Sequence, residues 1–147
     1  LTAKNMTTKR ESILADIASS LAGTTQVGSR IYRSRVVPLT RGESPAIVVE
    51  PGGDDPEFSL RLDRLDWTLQ VRISVIVRAS VPDQAADAIV EDIHSRVMAD
   101  DSAGGYAIDI EPGAVSFELV QADQPAGVIT MVYRVKYRTT VTDVSAG

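Results

Sequence analysis

A chain of 147 residues, 44% apolar and 24% charged, has the make-up of one folded domain and not of a disordered segment. The absence of cysteine excludes disulfide frameworks, thiolate metal centres and cysteine nucleophiles. The formal net charge of -5 argues against general binding of nucleic-acid phosphates. No apolar run approaches the ~18 residues of a membrane helix, and the polar stretch Leu1–Arg10 lacks a signal core, so the expected location is cytoplasmic.

The chain opens with a polar stretch expected to be loose (1–6). Thr7 or Thr8 three or four positions before Glu11 is a capping arrangement. Ile13, Leu14, Ile17, Ala18 and Leu21 follow at helical spacing, and Gly23 supplies a stop, so a helix is predicted over Thr8–Ala22. Ser29–Val37 reads as a strand and Pro38–Pro45 as a loop. Ala46–Glu50 reads as a short apolar strand ended by Pro51-Gly52-Gly53, with Asp54–Ser59 as an acidic connection.

The clearest signal comes next. Trp67, Leu69, Val71, Ile73, Val75 and Val77 occupy alternate positions, the repeat of a strand greasy on one face. Leu60 and Leu62 have the opposite parity. A one-residue slip exchanges the faces of a strand, so a bulge or break is predicted between Leu62 and Leu65, with the strong strand over Leu65–Ala79. A helix starts at Ser80–Asp83 and carries Ala86, Ile89, Val90, Ile93 and Val97 as its stripe to Met98. Ala107–Ile110 and Ala114–Ala122 read as two strands, Asp123–Gly127 as a turn, and Val128–Val141 as a final alternating strand. The tail (142–147) is expected to fray. The fold class is α+β: one domain over 1–147, with a mostly antiparallel sheet of about five strands and two amphipathic helices on one face. A 14-residue strand spans ~45 Å, against about 40 Å for the diameter of such a domain. Both long strands should therefore cross the whole molecule.

Little in the chain points to chemistry. His94 is the sole histidine and sits at the edge of a helix stripe, where a half-exposed surface role is the ordinary reading. Gly52-Gly53 and Gly104-Gly105 match neither a P-loop nor a dinucleotide fingerprint. Asp54, Asp55 and Glu57, and separately Asp100-Asp101, lack the spacing of a calcium loop. No catalytic, cofactor-binding or metal residue is assigned, and no cofactor is expected. The candidates are for contact between proteins. Arg33, Arg35 and Arg41 crowd one stretch, with Asp54, Asp55 and Glu57 as opposite-charge partners on a neighbouring subunit. Arg72 and Arg78, with Ile76, lie on the even face of the strong strand. Arg134 and Lys136 lie on the polar face of the last strand, which is apolar at its start through Val128 and Val132.

The layout as a whole carries a resemblance. An N-terminal amphipathic helix precedes the block GSRIYRSRVVPLTRGESPAIVVEPGGDDPE. The long strand LDWTLQVRISVIVRA, a helix opened by VPDQAADAIVEDI, and a closing strand GVITMVYRVKYRTTV follow. Over about residues 7–141 this resembles the tail terminator family of tailed bacteriophages, the tail completion or minor tail protein U-like proteins. The resemblance implies a virion structural protein and no catalysis. Such proteins form a ring, typically a hexamer, on the head-proximal end of the tail tube. The ring stops tube growth, offers a docking surface to the head-tail connector protein, and lets DNA pass through its lumen. Its partners would be itself, the tail tube protein and the connector, in the virion and, during assembly, the host cytoplasm. The rival readings are another phage neck protein, such as a connector or stopper, and a small ligand-binding or enzymatic α+β domain.

Overall fold

The computed structural model describes residues 7–34, 44–120 and 125–147. The elements run α1 (Lys9–Ser20), β1 (Ile31–Arg33), β2 (Ala46–Phe58), β3 (Arg64–Arg78), α2 (Pro82–Met98), β4 (Asp109–Val120) and β5 (Ala126–Thr140). They form one α+β unit whose five strands lie in the order β1-β2-β3-β5-β4. The spine is the antiparallel pair β3–β5, in unbroken register from Arg64 opposite Thr140 to Arg78 opposite Ala126. The alternation at Trp67–Val77 dictates this. Leu69, Val71, Ile73 and Val75 are fully buried, and the β5 residues Ile129, Met131, Tyr133, Val135 and Tyr137 lie on the same face and are buried too. Ile13, Leu14 and Ile17 of α1 and Ile89, Ile93 and Val97 of α2 belong to the same core. Both helices therefore cover one face of the sheet, as the sequence predicted.

The helices are fixed by local chemistry. The Thr8 hydroxyl accepts the Glu11 backbone N–H at 3.1 Å, the N-cap bond that satisfies one orphan donor of the first turn. Thr8→Ala is expected to cost about 1 kcal/mol, read as a shift in urea midpoint at constant slope. At the other end of α1, Arg96 of α2 donates to the carbonyls of Ser20, Ala22 and Gly23 at 3.3, 2.9 and 3.1 Å, filling acceptors that a helix end leaves open. Helix α2 begins with Pro82 in its first turn and no side-chain cap. It can pack close to β5 because a Cβ at Gly127 would lie 2.6 Å from the Pro82 side chain.

Four expectations are corrected. First, β2 does not end at Pro51-Gly52-Gly53. It runs to Phe58 through a bulge between Pro51 and Gly53, so the acidic segment is strand and not connection. Proline and glycine are tolerated at a bulge because the ladder is already interrupted there. Second, the two strands predicted over 107–122 are one, β4, with a bulge between Pro112 and Val115. Third, the strand read over Ser29–Val37 begins only at Ile31; within the mostly antiparallel sheet it pairs with β2 in parallel, Ile31 opposite Ile47 and Arg33 opposite Val49. Positions 34–45 separate them, the dozen residues that a parallel return requires. Fourth, the C-terminal tail turns back on the fold. Lys9 N–H donates to the Val144 carbonyl at 3.0 Å, and Thr140 N–H donates to that of Ala146 at 2.9 Å. The predicted break between Leu62 and Leu65 is present as the turn joining β2 to β3, and Ser59 N–H closes it on the Arg64 carbonyl at 3.2 Å.

Candidate assembly surfaces

The register of four strands sets the outer face of the sheet in transverse rows. Glu57, Asp66 and Arg138 share one row; Asp55, Thr68, Lys136 and Asp109 the next; Gly53, Gln70, Arg134 and Glu111 the third. Charges of both signs meet across and between them. Arg138 donates to Asp66 at 2.6 Å, while Lys136 and Arg134 reach Glu111 at 3.2 and 3.6 Å. The bond from Lys136 holds the Glu111 carboxyl below its ordinary range. These pairs are solvated, so they shape the surface more than they stabilise it. Arg72 is exposed in the middle of this face, and Arg78 is half-buried at its end, its backbone N–H donating to the Ser44 hydroxyl at 3.0 Å.

The pairing expected between Arg33 and the 54–57 segment of a neighbour finds two of its groups already engaged within the subunit. Arg33 grips Glu11 with two nitrogens at 3.1 and 2.8 Å, and this lowers the Glu11 pKa. Asp54 faces inward. Its carboxylate accepts from Arg10 Nε at 2.8 Å and from the Tyr137 hydroxyl, beneath a stack of Trp67 on Tyr137 with ring centroids 6.1 Å apart. The bulge in β2 is the reason. It shifts parity by one, turning Asp54 and Pro56 to the helix side and Asp55 and Glu57 outward, where they are exposed. Arg35, Arg41 and most of the Pro38–Ser44 loop lie outside the described residues.

Other polar groups make small, local arrangements. His94 is exposed, with Nδ1 3.0 Å from the Tyr133 hydroxyl, and burial pushes that hydroxyl up to about 12. Asp16 and Asp100 line a shallow groove between the helices with Ser20 and Arg96. Burial and the nearby Asp100 raise the Asp16 pKa. Among the described residues no three His, Asp or Glu side chains are grouped to hold a metal ion, and no helix is long and apolar enough to cross a membrane.

Sequence reasoning weighted charge and passed over exposed apolar groups. Phe58, Leu60 and Leu62 surround the β2–β3 turn, and Val115, Phe117 and Leu119 line β4, an edge strand; all six are exposed. The signal for the first set was the parity break at Leu60 and Leu62. The signal for the second set was its alternation within the predicted strand Ala114–Ala122. It lies on the helix side, at a margin the helices leave uncovered.

No protein-family model and no curated protein matches the chain. Among solved structures, the chain is similar to one from the virion of a native gene transfer agent particle. The two superpose with a TM-score of 0.55 at 16% sequence identity, over 89% of this chain and 92% of that one. At that identity the likeness is one of fold, and it takes in nearly the whole of both chains.

Proposed function

We propose that this chain is a structural virion protein of a phage-like particle. In the finer reading it is a tail terminator, which closes a ring on the head-proximal end of the tail tube. The observation that carries the proposal is the end-to-end likeness of fold to a virion chain, at 89% and 92% coverage. The order of elements and the sequence blocks quoted above favour the terminator among virion roles. The function is geometric and involves no catalysis. A ring, taken here as a hexamer, caps the tube and blocks further subunits, and its free face receives the connector. A net charge of -5 per copy suits a ring through which DNA slides without being held by its phosphates.

The test uses a polymerising tail tube protein. Purified chain added in small amount should shorten the tubes, and electron micrographs should show a ring with a central hole at one tube end. Tubes of unchanged length, with the protein bound only to connector complexes, would replace the terminator by another neck protein. Tubes and connectors both left bare would remove the virion reading.

A further inference from the structure

The chain carries the triplet Glu-Pro-Gly twice, at Glu50–Gly52 in β2 and at Glu111–Gly113 in β4. These strands flank the β3–β5 spine, one on each side. Pro51 lies opposite Val71, Val71 opposite Tyr133, and Tyr133 opposite Pro112, so both bulges open in one transverse row of the sheet. The two triplets are also placed alike toward arginine. Glu50 stands opposite Arg72, and Glu111 opposite Arg134.

Each bulge glycine leaves room for one of these arginines. A Cβ at Gly52 would lie 3.0 Å from Arg72 Nε, and a Cβ at Gly113 would lie 3.4 Å from Arg134 Nη1 and 3.0 Å from the Val132 carbonyl oxygen. Neither glycine has a positive φ, so the space above it, and not its backbone angle, favours glycine there. Arg72 and Arg134 are exposed and lean away from each other, one over β2 and one over β4. Three strand spacings separate those strands, so the guanidinium groups stand up to roughly 14 Å apart. Carboxylates of the same chain leave them largely free. Among the described residues no ion pair holds Arg72. Arg134 reaches Glu111 only at 3.6 Å, and Glu111 takes its closer bond, 3.2 Å, from Lys136.

We propose that this row of the outer face docks an acidic segment of a partner protein: an extended peptide that crosses the strands and sets one carboxylate on Arg72 and a second on Arg134. Guanidinium binds carboxylate through paired N–H donors. In an extended chain, same-face residues four positions apart are separated by about 13 Å, which matches the span. A nucleic-acid backbone fits the row less well. Glu50 and Glu111 stand beside the two arginines, and they repel a polymer charged at every step, whereas a peptide sets neutral residues there. The proposal goes beyond the virion reading and rests on it only for the source of the segment, a neighbouring subunit.

The probe is the peptide acetyl-Glu-Thr-Ser-Thr-Glu-amide, titrated at low ionic strength into the isotope-labelled full chain while the arginine Nε–H resonances are followed. The expected result is a saturating shift at Arg72 and Arg134, and none at Arg61, which is 81% exposed in the β2–β3 turn. Affinity should exceed that for acetyl-Glu-Glu-amide, whose carboxylates cannot span the two arginines, by about tenfold. Arg72→Gln and Arg134→Gln should each bring the longer peptide down to the level of the shorter one. Melting temperature should hold in both, since exposed charges contribute little to stability. Gly52→Ala keeps every charge but crowds Arg72, and it should also weaken binding. Equal affinity for the two peptides, or unchanged binding by Gly52→Ala, would overturn the two-point site in favour of general charge attraction. Tighter binding of oligothymidylate than of the spaced peptide would overturn the carboxylate partner in favour of a phosphate backbone. Unmoved resonances at both arginines would remove the site altogether. The peptide titration uses no tubes, so the virion reading stands or falls separately on tube length.

Discussion

Asp54→Ala is expected to destabilise the fold by about 2–4 kcal/mol, although Asp54 comes from a segment that reads as a solvated acidic loop. The side chain is only 9% exposed and accepts from Arg10 and Tyr137. Removing it leaves the Tyr137 hydroxyl, in a residue 2% exposed, without its acceptor, and an unsatisfied buried donor costs about 1–3 kcal/mol. Arg10 adds less, because its side chain is 39% exposed and water can replace the lost partner. Asp54→Asn keeps an acceptor oxygen for both donors and should cost roughly half as much. The second carboxylate oxygen, buried with no hydrogen-bond partner, identifies where the amide nitrogen would sit. Tyr137→Phe supplies the cross-check. If hydroxyl and carboxylate act as a pair, the double variant loses less than the sum of the singles, by about 1 kcal/mol or more in urea titrations. Additive losses would show that Tyr137 and Asp54 are stabilised independently.

The same residue shows what could be read from the sequence and what could not. The spine of the fold was legible because β3 and β5 keep strict alternation over their length, and alternation maps directly onto two faces of a sheet. The helices were legible through Thr8, Pro82 and their apolar stripes. The bulges were not. In β2 the extra residue near Gly52 exchanges inward and outward positions, so Asp54 enters the fold while Asp55 stays in water. In β4 the bulge after Pro112 has the same effect: Ile110 and Phe117 lie on one face although their numbers differ in parity. Strict alternation counted across either bulge assigns the wrong face from that point on. The direction of β1, though not its existence, was hidden for another reason. Its pairing is parallel and brief, and nothing in Ile31–Arg33 specifies direction. The exposed leucines at the β2–β3 turn were visible as a parity break, but a break alone does not separate a buried bulge from a bare tip. That distinction needs the neighbouring strands in place.

Raising the pH above about 10 should unfold the protein through its two buried tyrosines. Burial pushes the Tyr133 hydroxyl from 10.0 up to about 12. Tyr137 is pushed up as well, by burial first and then by the hydrogen bond to Asp54, whose negative charge opposes ionisation. In the unfolded chain a tyrosine loses its proton near pH 10. Between that pH and the folded value, the folded state holds a proton that the unfolded state has released. Stability is therefore fully present below about pH 10 and falls as the pH climbs, by about 1.4 kcal/mol per unit for each such group. For Tyr133 alone, two units give a loss of about 2.7 kcal/mol by pH 12, and Tyr137 steepens the fall. Lys9 works in the opposite direction, since burial lowers its pKa and favours the neutral amine in the folded state. It is one group against two. Urea titrations at unit steps from pH 8 to 12 would measure the slope. Tyr133→Phe should cost about 1 kcal/mol at pH 8, through loss of its bond with His94, and should flatten the alkaline limb. Tyr133→Phe with Tyr137→Phe should remove most of it. A wild-type slope unchanged in both variants would mean that these hydroxyls ionise freely in the folded state, and that the alkaline loss lies in a lysine pair such as Lys136–Glu111 instead.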